Sequence, residues 1–156
     1  MARKVKYKIG DVFLVPLEEN FYGVGRVLKN SKATIFVELY RMKPIQNADE
    51  YHFGNVSKEP PIIRHWCYDT GIREGTWKII DYQPVEGEID MPFFWKQDAG
   101  DKKYYIRKGS NDSFHTIGER IEIPKADIHN YELNGIGNEV TESSRYIKRL
   151  REAGLY

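Results

Sequence analysis

Short apolar segments, each bounded by glycine, proline or polar turn residues, follow one another along the chain, and this spacing is typical of many short strands. Residues 11–17 are apolar at successive positions, which predicts a strand that is covered on both sides. After a polar turn, residues 22–28 predict a returning strand with Gly23 and Gly25 on one face, where we expect another group to pack closely. Further strands are predicted at residues 33–42, 62–68, 76–82, 103–108 and 117–123, with 62–68 and 76–82 joined as a pair by the polar loop 69–75.

The periodicity changes at the C-terminal end of the chain. Residues 141–153 predict a helix, with a capping threonine at its start, an acid in its first turn and a glycine after its end. Val140, Ile147 and Leu150 predict a narrow apolar stripe that packs on the sheet. Lys148, Arg149 and Arg151 are expected to face water. The predicted fold class is therefore α+β, mainly β: a small twisted antiparallel sheet or partly open barrel with a C-terminal helix.

Length and composition narrow the class of protein. A chain of 156 residues with 40% apolar residues is long enough for one folded domain, and we expect a single domain over residues 1–156. Lys and Arg number 24 and Asp and Glu 23, so no global field attracts nucleic acid or an anionic membrane. The single Cys67 cannot form an intrachain disulfide, and neither a signal peptide nor an apolar run of membrane-spanning length is recognised. We therefore expect a soluble, cytoplasmic protein.

Four motifs point to a family. The segments Ile9-Gly-Asp-Val-Phe-Leu-Val-Pro-Leu17 and Tyr22-Gly-Val-Gly-Arg-Val-Leu28, followed by Glu74-Gly-Thr-Trp-Lys-Ile-Ile80 and Met91-Pro-Phe-Phe-Trp95, resemble immunity protein family 26 of bacterial polymorphic toxin systems. The resemblance extends from residue 9 to about residue 107, and no specific match follows. It implies a non-enzymatic antidote, without catalytic residues, that binds a toxin made by the same cell and blocks it. Our hypothesis is that the protein acts by stoichiometric occlusion and needs no cofactor.

A strongly acidic stretch at residues 81–101 is the candidate contact surface for such a partner. Opposite charge steers association, and a neighbouring aromatic side chain can supply affinity. The stretch contains Asp81, Glu86, Glu88, Asp90, Asp98 and Asp101 against Lys96 alone. We predict that the partner-binding residues are Glu86, Glu88, Asp90, Trp95, Asp98 and Asp101. The alternative is a solvated loop whose aromatic residues, Phe93 to Trp95, turn into the core.

His65 and Cys67 lie two residues apart on the predicted strand 62–68 and share a face with Asp69, which directly follows it. A thiol, an imidazole and a carboxylate on one face suggest a catalytic site. Strand neighbours stand side by side rather than in the geometry of a triad, so a buried structural cysteine beside a hydrogen-bonded histidine is favoured. The four histidines show no close ligand spacing, and no metal site is predicted. The Gly23-Val-Gly25 motif lacks the third glycine and the helix of a phosphate-binding loop.

A basic arm at the start of the chain supports a second hypothesis, a small-barrel nucleic-acid-binding protein that uses exposed tyrosines for stacking. The arm consists of Arg3, Lys4, Lys6 and Lys8 with Tyr7 between them. A solvated, frayed terminus is the commoner interpretation of such a segment. The acidic stretch repels phosphate, which makes nucleic acid the less favoured partner.

Overall fold

The computed structural model describes residues 4–156, and these residues divide into two compact units. Of the described residues, 4–85 and 137–156 form the first unit and 86–136 form the second. The predicted fold class is confirmed, because strands dominate and a helix ends the chain. The expected single domain stays a prediction, since compactness does not measure whether two units unfold together.

The first unit contains one antiparallel sheet. Its strands are β1 (Asp11–Pro16), β2 (Tyr22–Ser31), β3 (Thr34–Leu39), β4 (Ile63–Tyr68) and β5 (Ile79–Tyr82), and two short helices, α1 (Phe53–Val56) and α2 (Thr70–Arg73), lie between strands. The order across the sheet is β4-β3-β2-β1-β5. The predicted pairing of residues 62–68 with 76–82 is wrong, because β4 pairs with β3 while β5 pairs with β1 at the opposite edge. A helical turn, α2, replaces the expected hairpin loop, so the chain leaves β4 without folding back on it.

Strand β1 is covered on both sides, as its continuous apolar sequence predicts. Residues 11–15 are all buried. Phe13 and Val15 belong to one apolar cluster, whereas Val12 and Leu14 belong to a second cluster on the other face of the sheet.

The C-terminal helix, α3 (Glu139–Glu152), begins two residues before the predicted start. Asn138 caps it, because its side chain accepts hydrogen bonds from the backbone N–H groups of Val140 and Thr141. The predicted apolar stripe is confirmed at Leu150, which is fully buried, but it is wrong at Val140, which is 69% exposed. The buried face of α3 instead consists of Glu142, Tyr146 and Leu150, which are spaced four residues apart. Lys148 and Arg151 are exposed and Arg149 is half-buried.

The two glycines of β2 admit close contacts, which confirms the packing predicted from their positions. A Cβ atom on Gly23 would lie 2.2 Å from Cε2 of Tyr146, and one on Gly25 would lie 2.7 Å from Cδ2 of Leu39. The hydroxyl of Tyr146 donates a hydrogen bond of 2.5 Å to the backbone oxygen of Tyr40. The absence of a side chain at Gly23 therefore lets α3 dock directly on the sheet, and its absence at Gly25 leaves room for the Leu39 and Phe13 side chains of the neighbouring strands.

The second unit contains a four-stranded sheet in the order β8-β7-β6-β9. Its strands are β6 (Phe93–Gln97), β7 (Tyr104–Gly109), β8 (Thr116–Ile123) and β9 (Glu132–Leu133). All neighbours are antiparallel except β6 and β9, which are parallel. Strands β7 and β8 match the segments predicted at 103–108 and 117–123 to within one residue. Strands β6 and β9 were not predicted, because the aromatic run of β6 does not alternate with polar residues and β9 has only two residues.

Candidate functional site

The sheet of the second unit has two chemically different faces, and its register defines them. Phe94 lies opposite Arg107, and Lys96 lies opposite Tyr105, so these four side chains share one face. Trp95 lies between Phe94 and Lys96 along β6, so its side chain is on the other face, together with that of the opposed residue Ile106. The charged and aromatic side chains of β6 and β7 are therefore divided between the two faces of the sheet.

A depression of about 520 Å³ lies on the first of these faces. Strands β6, β7 and β8 contribute its charged and aromatic lining, and the turn after β6 contributes an acid. The lining residues with polar groups include Lys96, Asp98, Tyr105, Arg107, Arg120 and Asn134. We refer to this feature as the depression.

Asp98 is held in place by three donors. Its carboxylate accepts hydrogen bonds from the backbone N–H groups of Gly100 at 2.7 Å and Asp101 at 3.1 Å. Nη1 of Arg120 donates to the same carboxylate at 2.6 Å. The Arg120 hydrogen bond, followed by the two backbone donors, lowers the pKa of Asp98 to about 2. Asp98 is therefore an ordered, paired anion rather than a free charge.

Asp101 extends the same network across the turn. It accepts a hydrogen bond of 2.6 Å from the hydroxyl of Tyr105 and one of 2.8 Å from the backbone N–H of Lys103. The Tyr105 hydrogen bond lowers the pKa of Asp101 and raises the pKa of Tyr105. The guanidinium of Arg120 lies over the Tyr105 ring, 3.9 Å from its centroid. Of the predicted partner-binding residues, the structure thus brings Asp98 and Asp101 together.

Glu86, Glu88 and Asp90 lie at the opposite end of β6, in a segment without regular structure. All three are exposed, and Asp90 forms an ion pair of 2.9 Å with Nζ of Lys108. Strand β6 has five residues and spans roughly 15 Å, so it separates this group from the turn that holds Asp98 and Asp101. The structure therefore divides the predicted acidic surface into two groups.

Trp95 lies on the face opposite the depression. It belongs to a row of directly opposed apolar side chains across the sheet, formed by Leu133, Trp95, Ile106 and Ile121. Leu133 is 39% and Ile121 is 51% exposed, whereas Trp95 is half-buried. Phe94 is only 3% exposed, so the alternative of aromatic residues turned into the core applies to Phe94.

The lining of the depression is mostly cationic, whereas residues 81–101 are strongly acidic. Its lining includes three cations, Lys96, Arg107 and Arg120, and one acid, Asp98. Sequence reasoning missed this reversal because Arg107 and Arg120 lie outside the acidic stretch. The alternation of the predicted strands placed Arg120 on one face, but only the pairing of β7 with β8 brings it beside Tyr105.

The His65 and Cys67 region is a packed interior. Cys67 is fully buried, and burial, with the nearby Glu142 and Asp69 charges, raises the pKa of its thiol. Nδ1 of His65 lies 2.5 Å from Oε1 of Glu142 on α3, and both side chains are buried. The prediction of a buried cysteine beside a hydrogen-bonded histidine is confirmed. A protonated, buried thiol is not an available nucleophile.

The N-terminal arm packs against the first unit from residue 4 onward, and Arg3 lies outside the described residues. The Tyr7 hydroxyl donates a hydrogen bond of 2.6 Å to Asp69, and the backbone N–H of Val5 donates to the Arg73 oxygen at 2.8 Å. Nζ of Lys8 lies 4.4 Å from the centroid of the Tyr82 ring. The interpretation of a solvated, frayed terminus is thus confirmed in part, because Lys4, Lys6 and Lys8 are exposed. Fraying is the part that is wrong for the described residues, because Tyr7 has a specific partner that the sequence pattern does not reveal.

Residues 4–156 contain neither a cluster of metal-binding side chains nor a membrane-spanning helix. No group of three or more His, Cys, Asp and Glu side chains in this part of the chain is arranged to hold a metal ion. No helix in the same range is both long and apolar enough to cross a membrane.

The two open sheets and the exposed, charged depression define a small β-rich protein. The chain belongs to the Immunity protein 26 family, whose model matches residues 8–106. The match confirms the resemblance carried by the motifs between residues 9 and 107. It includes β1 to β6 and part of β7, whereas β8, β9 and α3 lie outside it. Neither curated proteins nor solved structures gave a match.

Proposed function

We propose that this protein is an immunity protein that binds a cognate toxin in the cytoplasm and neutralises it by stoichiometric occlusion, without catalysis. The observation that carries the proposal is the match of the Immunity protein 26 model to residues 8–106. The burial of Cys67 argues against the thiol-based catalysis that the alternation of His65, Cys67 and Asp69 suggests.

The proposal is tested by producing the protein together with the toxin encoded beside it. Cells that carry both genes should survive, and the two purified proteins should elute as a one-to-one complex. A toxin that stays fully active in the presence of excess purified protein contradicts the proposal.

The second unit supplies the proposed contact surface. Glu86, Glu88 and Asp90 are exposed, and the charge of such a loop acts on an approaching partner before contact is made. Asp98 and Asp101 border the depression, where hydrogen bonds hold both carboxylates in fixed positions at the edge of the proposed surface. The triple change Glu86→Lys, Glu88→Lys and Asp90→Lys should slow association and leave the unfolding midpoint nearly unchanged.

The matched control for this variant is the triple change Glu59→Lys, Asp112→Lys and Glu152→Lys, which alters the net charge equally at exposed positions elsewhere. Stopped-flow association at low and high salt compares the two variants. Equal association rates for both would remove the loop from the proposed surface.

Trp95 needs a separate variant because its side chain lies on the other face of the sheet. A Trp95→Ala change that weakens toxin binding more than changes around the depression would place the partner against the apolar row. Retained binding would assign the contacts to the face of the depression.

A further inference from the structure

The depression contains two cations that form no ion pair with an acid among the described residues. Lys96 is exposed and has no acidic partner among the described residues. Nε of Arg107 donates a hydrogen bond of 2.6 Å to the backbone oxygen of Gly118, which orients the guanidinium without neutralising it. Arg120, in contrast, is paired with Asp98. Two cations of the depression are therefore available to a ligand.

The register places these two cations around one site. Lys96 lies opposite Tyr105, and Arg107 lies opposite Phe94. Lys96 and Arg107 are therefore diagonal neighbours on adjacent strands, and the Cα atoms of such neighbours are roughly 7–8 Å apart. Their side chains are long enough to approach one carboxylate from two sides. An arginine presents several donors in a fixed plane, which suits a carboxylate.

We infer that the depression receives an acidic side chain of the partner protein, which Lys96 and Arg107 bind together. This inference rests on the proposed function and specifies the partner's chemistry at this face. It reverses the sign expected from the acidic stretch: the partner presents a carboxylate to the depression.

A protein carboxylate fits the surroundings better than a nucleic-acid backbone. The second unit contains ten acidic and seven basic residues, and Asp98 and Asp101 border the depression. A phosphate backbone brings a row of negative charges and needs several cations along its path. Two free cations flanked by carboxylates instead suit one isolated anion.

The depression is formed partly by residues inside the family match and partly by residues outside it. Lys96 and Tyr105 lie within the residues that match the family, whereas Arg107, Arg120 and Asn134 lie beyond them. The site therefore combines a strand of the matched segment with residues outside it.

The test uses the full-length protein and the purified toxin domain. The double variant Lys96→Gln and Arg107→Gln should weaken toxin binding by about tenfold or more, and Lys96→Glu with Arg107→Glu should weaken it further. The control double variant Lys58→Gln and Lys125→Gln removes the same charge at exposed positions and should bind within about twofold of the unaltered protein. Because Arg107 also contacts Gly118, Lys96→Glu alone is measured as well, and the unfolding midpoint of each variant is compared.

A charge-swap series identifies the carboxylate. One Asp→Lys or Glu→Lys variant of the toxin should restore binding to the Lys96→Glu, Arg107→Glu protein while weakening binding to the unaltered one. If the unaltered protein protects and binds but the double Gln variant binds equally well, the inference is overturned and the proposed function stands. If the unaltered protein does not bind the toxin, the proposed function itself fails, and that result appears before any variant is compared.

A random single-stranded oligonucleotide tests whether the depression binds phosphate rather than a protein carboxylate. Binding of this probe to the unaltered protein, lost in the double Gln variant, would assign the depression to phosphate and overturn the carboxylate assignment. No binding at low salt supports the assignment to a protein partner.

Discussion

Gly23 marks a position where helix and sheet fit closely. Because a Cβ atom there would lie 2.2 Å from the buried Tyr146 ring, the change Gly23→Ala forces one of the two elements to shift. We expect the free energy of unfolding to fall by about 1–3 kcal/mol, measured by urea denaturation. Gly54→Ala is the matched control, since nothing lies within 4 Å of its Cβ position and it should be neutral or stabilising. Equal effects of the two changes would contradict the packing.

Cys67 should be chemically silent in the folded protein. Its thiol is fully buried and its pKa is raised, so little of the reactive thiolate is present at neutral pH. A thiol-specific chromogenic reagent should react with it only as fast as the protein opens, and rapidly in denaturant. Stoichiometric labelling of the native protein at the rate of a free thiol would show that the cysteine is accessible.

Asp98 should titrate near pH 2. A carboxyl group with a lowered pKa stabilises the folded state above its ordinary pKa of about 3.9. For Asp98 this contribution is lost as the pH falls from about 4 to about 2, toward its folded pKa. An NMR titration of the side-chain carboxyl carbon measures the midpoint, which should rise toward its ordinary value in Arg120→Gln but not in Lys125→Gln. A midpoint near 4 in the unaltered protein would mean that the pairing is absent in solution.

At the scale of elements, the start of α3 is fixed to the edge strand β4. The backbone N–H of Gly137 donates to Trp66, and the N–H of Tyr68 donates to Gly137, so this segment covers the edge of β4. A Cβ atom on Gly137 would lie 1.9 Å from Oε1 of Glu142. The glycine thus allows the contact between Glu142 and His65 that joins helix and strand.

The contribution of the N-cap residue of α3 to the free energy of unfolding can be measured with a single substitution. Asn138→Ala removes the acceptor of two backbone hydrogen bonds and should lower the free energy of unfolding by about 1 kcal/mol. Lys148→Ala, an exposed change in the middle of the same helix, should alter it by no more than about 0.5 kcal/mol. Denaturant midpoints measure both variants, and an equal loss in the two would remove the capping role of Asn138.

The elements also show which parts of the fold the sequence could predict. Alternation and turn residues located β1, β2, β3, β4, β7 and β8 closely, because these signals are local. The same signals gave the wrong partner for β5, since a strand pattern does not specify which edge it joins. Val140 was misassigned to the buried face of α3 because hydrophobicity alone could not show that the charged Glu142 has a buried partner in His65.

At the scale of the whole molecule, the expected single domain predicts that both units lose their structure in one transition. Native-state hydrogen exchange measures this, because the slowest amides of β3 in the first unit and β7 in the second should converge on one opening free energy as denaturant increases. Exchange of the β7 amides through an opening that leaves β3 protected would show two independently unfolding units.

The sequence by itself determined the β-rich class, the family and the glycine positions where elements pack closely. These features depend on residues that are near one another in the chain, or on the order of motifs along it, and both can be read without the fold. The tertiary structure decided the strand order, the buried contact between His65 and Glu142, and the charge of the candidate surface. The pairing of Arg120 with Asp98, and the position of Arg107 beside them, depend on the alignment of three strands. For this reason a segment that is acidic in sequence borders a depression whose lining is mostly cationic.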